Sequence, residues 1–244
     1  MKKRWAVVVL FSATHLLHAQ SVNEQIWVEY MLNYPFANSF NLENAFTYNT
    51  VLSSPAWRSY EWAPTVEWSV HSHIDILAQT TLSYTNQSDS YNTFEVRPAL
   101  GTRFYFTPNK RIQTKLLLRL EQRNFKNLET NEWTQVYRPR ARAEMIIPIN
   151  KNSYFQDNLW YAMVDAEALF KTSDVEERFA NRLRIRVGGG YRLNYNLRFE
   201  FLYMLQESKD AIEDGFESSD HIFRFRIKQY LRKSKPSSTG GGVN

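Results

Sequence analysis

A two-residue alternation of apolar and polar side chains, sustained for about 9–13 residues at a stretch, runs through almost the whole chain from residue 25 to residue 231. Successive side chains of a strand point to opposite faces, so each stretch describes a strand with one apolar and one polar face. Strands of soluble proteins average roughly 5–6 residues, whereas a strand that crosses a bilayer needs about 9–11. Length therefore separates the two readings, and it predicts membrane-spanning strands. The alternating segments fall at residues 25–34, 40–48, 60–70, 73–84, 94–106, 112–123, 133–149, 160–170, 182–193, 197–206 and 221–231.

The polar faces carry charges of both signs. Arg97, Arg103, Arg119, Arg123, Arg138, Arg140, Arg142, Arg182, Arg184, Arg186 and Arg192 are interleaved with Glu95, Glu121, Glu144, Asp165, Glu167 and Glu200. Glu43, Glu61, Glu67 and Asp75 stand on the polar faces of the earlier segments. A lumen lined in this way can pair its charges, which buried ions require. Trp27, Tyr34, Tyr48, Tyr60, Trp62, Tyr84, Trp133, Trp160 and Tyr230 fall near segment ends, where amphipathic rings settle at a headgroup boundary.

The connections alternate in size. Short ones are expected at residues 35–39, 70–73, 107–111 and 193–196, and longer polar ones at 50–58, 85–92, 124–132, 171–179 and 207–219. Short turns on one side and long loops on the other are the topology of an outer-membrane barrel. The fold expected is all-β: an antiparallel up-and-down transmembrane β-barrel of about 10–12 strands. Even strand numbers are the rule for single-chain bacterial barrels, so eleven segments point to ten or twelve wall strands, with the first segment the one in question. Pro64, Pro98, Pro139 and Pro148 lie inside segments and predict bulges or strand ends there.

The N-terminus reads as a cleavable export signal. Met1-Lys2-Lys3-Arg4 is basic, residues 5–17 are mostly apolar, and Leu17 and Ala19 suit the −3 and −1 positions of a cleavage site. The expected organisation is a signal peptide at 1–19, a barrel at 20–231 and a polar tail at 232–244. The absence of cysteine excludes a disulfide scaffold and a lipid-modified N-terminal Cys. The net charge of +5 raises nucleic acid as a partner, but arginines alternating with lipid-type residues do not form a nucleic-acid surface.

Four motifs carry a family resemblance: Glu95-Val96-Arg97-Pro98-Ala99-Leu100-Gly101, Leu118-Arg119-Leu120-Glu121-Gln122-Arg123, Tyr137-Arg138-Pro139-Arg140-Ala141-Arg142, and the run from Arg182 through Gly188-Gly189-Gly190 to Arg192. With Asp220-His221 before the last segment, the chain resembles the bacterial outer-membrane family known as domain of unknown function 2490, common in Bacteroidota. The resemblance implies a barrel in the cell outer membrane and brings no agreed activity.

No catalytic constellation stands out. Ser59, Ser83 and His221 are the only residues that could supply a rim-located lipase or deacylase, and no orienting acid accompanies them. His71 and His73 share a strand face at a short turn without a third ligand and read as solvated. Gly188-Gly189-Gly190 sits mid-strand and does not open a helix, so it leaves room for bulky neighbours or a bend rather than cradling phosphate. The acidic stretch at 209–220, with Asp210, Glu213, Asp214, Glu217 and Asp220, reads as a solvated external loop.

The row Arg182, Arg184 and Arg186, expected next to Arg138, Arg140 and Arg142, forms either an anion-attracting stripe or a salt-bridge network that plugs the barrel. The role expected is a structural or partner-docking barrel or a narrow pore. The alternatives are a barrel enzyme acting on lipid or lipopolysaccharide at its rim and a soluble periplasmic lipocalin-like carrier. The partners expected are outer-membrane lipid and, through the external loops, other envelope proteins. No cofactor, metal or nucleic acid is expected.

Overall fold

The computed structural model describes residues 23–54, 56–88, 91–108, 110–170, 181–209 and 217–231. The segments expected to be a signal peptide (1–19) and a polar tail (232–244) lie outside these. The described residues form eleven strands: β1 (Asn23–Ala37), β2 (Phe40–Val51), β3 (Arg58–His71), β4 (Ile74–Ser88), β5 (Tyr91–Tyr105), β6 (Gln113–Asn127), β7 (Trp133–Pro148), β8 (Leu159–Leu169), β9 (Asn181–Arg192), β10 (Leu197–Lys209) and β11 (Glu217–Tyr230). Each pairs with its neighbours in sequence, and β1 closes on β11 to complete a barrel.

The even strand count is corrected here. All eleven segments are wall strands, the first included. In an up-and-down barrel an odd count sends the first and last strands in the same direction, so the seam must be parallel. It runs in unbroken register from Asn23↔Asp220 to Asn33↔Tyr230. The other ten ladders are antiparallel. Pairing β1 on both edges leaves no open row of backbone donors and acceptors, the condition that any barrel wall must meet.

The strands also run longer than the alternation implies. β4 extends to Ser88 and β5 begins at Tyr91, so most of the long connection expected at 85–92 is strand. The prolines act more gently than expected. Pro64 keeps its pairing to Asn44 but drops out of the β3–β4 ladder, and Pro98 pairs with Thr80 but drops out of the β5–β6 ladder. Neither shifts the register, because the missing N–H removes a bond and adds no residue. Pro139 stays paired to Leu120, and Pro148 ends β7.

The two faces separate as the alternation requires. Val28, Phe46, Trp62, Leu100, Leu120, Ile185, Phe201 and Phe225 are exposed on the outside. Aromatic pairs stack across neighbouring strands there, including Phe46 on Trp62 and Phe40 on Trp68. Two belt residues are corrected. Trp27 and Tyr230 face the lumen, because the two-residue period puts them on the same side as Glu29 and Lys228. There Trp27 lies beside Arg184 and Arg224, and Tyr230 beside Arg198.

One side of the lumen is packed solid. Ile146 of β7, Leu159, Tyr161 and Met163 of β8, and Leu202 of β10 form a buried cluster. Gly190 makes room for it: a Cβ there would sit 2.4 Å from Cζ of Tyr161, whose hydroxyl donates to Glu200 at 2.8 Å. The glycine run is thus a packing device, as its mid-strand position predicts. Gly190→Ala is expected to cost about 1–3 kcal/mol, read as a lower urea midpoint of the refolded barrel. An unchanged midpoint would show that Tyr161 moves freely.

Candidate functional site: a charged, half-filled lumen

Every lysine and arginine that faces the lumen among the described residues comes from β5–β11. The inward positions of β1–β4 carry Glu29, Glu43, Glu61, Glu67 and Asp75 with neutral residues between them. Ion pairs then knit the cationic side together. Lys115 meets Glu144 at 2.6 Å; Arg142 reaches Glu144 at 2.5 Å and Asp165 at 3.2 Å. Arg186 bridges Asp165 at 2.5 Å and Glu167 at 3.0 Å. Glu167 also takes Arg140 and, at 3.7 Å, Arg184. Arg140 continues to Glu121 at 2.5 Å, and Glu121 takes Arg119 at 2.8 Å and Arg138 at 2.7 Å.

This is one connected network of seven cations and four carboxylates on β6–β9. Smaller groups flank it. Glu95 holds Arg97 and Arg123; Arg103 bridges Glu67 and Asp75; Glu29 and Glu200 hold Arg224, Arg226 and Lys228. The arginine rows of β7 and β9 are not adjacent, which corrects the expected stripe. β8 stands between them, with Glu167 paired to Arg142 on one side and to Arg184 on the other. A carboxylate strand between two guanidinium strands replaces cross-strand repulsion with attraction.

Most of the site residues predicted from sequence meet in these groups. Arg182 lines the lumen, while Arg192 lies apart, near Asp157 at 3.6 Å and donating to the Tyr154 carbonyl at 3.1 Å. Sequence reasoning left out Glu29, Lys115, Arg198, Arg224, Arg226 and Lys228, although the same alternation places them on the polar face. It also missed residues 149–158, the connection between β7 and β8. Tyr154 from this connection folds inward, packs edge-on against Tyr161 and accepts from Arg198 at 2.6 Å. An inward aromatic in a connection has no periodic signal.

The enzyme candidates are not brought together. Ser59 and Ser83 are buried on the lumen face, Ser59 against Thr85, whereas His221 bonds Tyr203 on the outer face of β11. His71 and His73 are exposed and stacked at the β3–β4 turn. Asp220 is corrected from loop to wall: it is buried in β11 and accepts from Gln25 at 2.8 Å and from Gln206. Asp210, Glu213 and Asp214 lie outside the described residues.

What remains open is a cavity of about 1180 Å³. Its lining reaches Gln25, Ser54, Trp57 and Gln87 at one end of the barrel and Pro35, Ser69, Gln113 and Tyr230 at the other. Inward residues of every strand but β8 line it, and Leu159, Tyr161 and Met163 of β8 are packed away from it. Among the described residues the lumen is therefore partly filled, with this cavity beside the packed cluster.

The family model described as Protein of unknown function (DUF2490) matches residues 24–217. The chain belongs to that family. Membership accounts for nearly all of the barrel wall, from β1 to the start of β11. No curated protein is significantly similar to this family member. Among solved structures it is similar to an anion-selective porin from Comamonas acidovorans, with a TM-score of 0.39 and 11% identity over 80% of this chain and 54% of the porin. The chain thus spans about half the length of that porin, and a likeness at this level says nothing of what this barrel carries.

Proposed function

We propose that this DUF2490 member is an outer-membrane barrel forming a narrow, charge-lined pore for small hydrophilic solutes. The observation that carries the reading is the cavity that reaches both ends of the barrel beside a half-filled lumen. A barrel wide enough to leave unfilled space between polar walls holds water, and water-filled space along the axis conducts ions. The exposed apolar exterior and the signal-like pattern of residues 1–19 support placement in the outer membrane. A structural or partner-docking barrel remains the second reading, favoured by the density of ion pairs across the lumen.

Planar bilayers containing the refolded protein test this directly. Discrete conductance steps are expected, smaller than those of wide 16-stranded porins because eleven strands enclose a narrower lumen that is partly filled. Membranes that receive folded, heat-modifiable barrel and stay silent would sink the pore and leave the docking role.

A further inference from the structure

We propose that the lumen contains a seat for small multivalent oxyanions, phosphates above all, at Arg142 and the neighbouring arginines. This rests on the pore reading and names the solute class that such a pore would favour. The β6–β9 network holds seven cations and only four carboxylates, an excess of three positive charges within a low-dielectric wall. Uncompensated charge out of bulk water is costly, so counter-anions must gather wherever the network meets solvent.

The network meets solvent opposite a wall of small residues. β2 and β3 lie across the barrel from β7 and β8, and their Ala45 and Ala63 are cross-strand partners. Both line the same cavity as Arg142 and Arg119. Glu43 and Glu61, two residues from these alanines along their strands, flank the gap toward the two ends, so the alanines leave a window without carboxylate.

Arg142 is the network cation best placed to serve that window. Across β6 it faces Leu117 and not an acid, and its diagonal neighbour on β6 is Arg119. Both of its carboxylate contacts use Nη2 alone. Its Nη1 has no partner among the described residues, and its buried Nε has none either. A guanidinium with an uncommitted edge, beside a second guanidinium, matches the forked geometry of a phosphate.

Arg142 can also be removed with little damage. Glu144 keeps Lys115 and Asp165 keeps Arg186 when it is gone. The test is bilayer recording of wild type and Arg142→Gln, with inorganic pyrophosphate as the probe. Wild type should prefer chloride to potassium in a salt gradient and should be blocked by pyrophosphate. Arg142→Gln should need about tenfold more pyrophosphate for the same block.

Conducting channels with no anion preference, or an equal block in both proteins, would overturn the seat while leaving the pore intact. Silent membranes would sink the pore. Calorimetry of pyrophosphate with the detergent-folded barrel then decides the seat alone: binding weakened about tenfold by Arg142→Gln supports it, and no binding, or equal binding, overturns it. Heat-modifiable migration identifies any variant that fails to fold. In that event Arg142→Lys, which keeps the charge but loses the fork, should fold and show weakened block, and an unweakened block would overturn the seat.

Discussion

Glu167→Gln is expected to destabilise the barrel by about 3–5 kcal/mol. Glu167 is 1% exposed and takes Arg140, Arg184 and Arg186 at once. The substitution keeps the shape and removes the charge, so the three guanidinium groups lose a shared counter-ion in a site that water scarcely reaches. Arg140 and Arg186 retain Glu121 and Asp165, but Arg184 keeps no carboxylate among the described residues, with the Gln206 side chain at 2.7 Å and the Trp27 ring beside it. The urea midpoint of the refolded protein measures the loss, with exposed Glu132→Gln as the comparison, expected within about 0.5 kcal/mol. A loss below about 1 kcal/mol for Glu167→Gln would show that the network is more hydrated than its burial implies.

A comparable loss, differently distributed, is expected from Glu29→Ala. Glu29 is 5% exposed and reaches across the parallel seam to Arg224 and Arg226, each at 2.5 Å. Arg226 retains Glu200 at 2.9 Å, whereas Arg224 is left with the face of Trp27. The cost is again about 3–5 kcal/mol. Because this carboxylate joins the first strand to the last, amide exchange should accelerate first in β1 and β11 and only later in β5–β8. Uniform acceleration around the wall would mean that the seam is no weaker than the antiparallel ladders.

The network and the seam differ in how far they could be read before folding. Arg138, Arg140 and Arg142, with Glu144 beyond, announce an inward face by alternation alone, and so do Arg182, Arg184 and Arg186. Their partners could not be read this way. That Glu167 lies between the two rows depends on β8 standing between β7 and β9 in one particular register, and a slip of one residue would turn every side chain to the other face. Trp27 and Tyr230 show the competing signals plainly: ring chemistry favours the membrane boundary, but strand parity puts both inside.

The sequence by itself determined the eleven alternating segments, the two-faced character of the wall and most of the lumen charges, because these follow from a local period of two and from segment length. Only the tertiary structure decided that all eleven segments are wall strands closing through a parallel seam, that seven cations and four carboxylates join in one network, and that a cavity lies beside it. Closure and pairing depend on which strand edges meet. The cavity depends on where Tyr161, Leu202 and the inward-folded Tyr154 fill the lumen and where Ala45 and Ala63 do not. These are sums over residues far apart in the chain, and no local pattern encodes them.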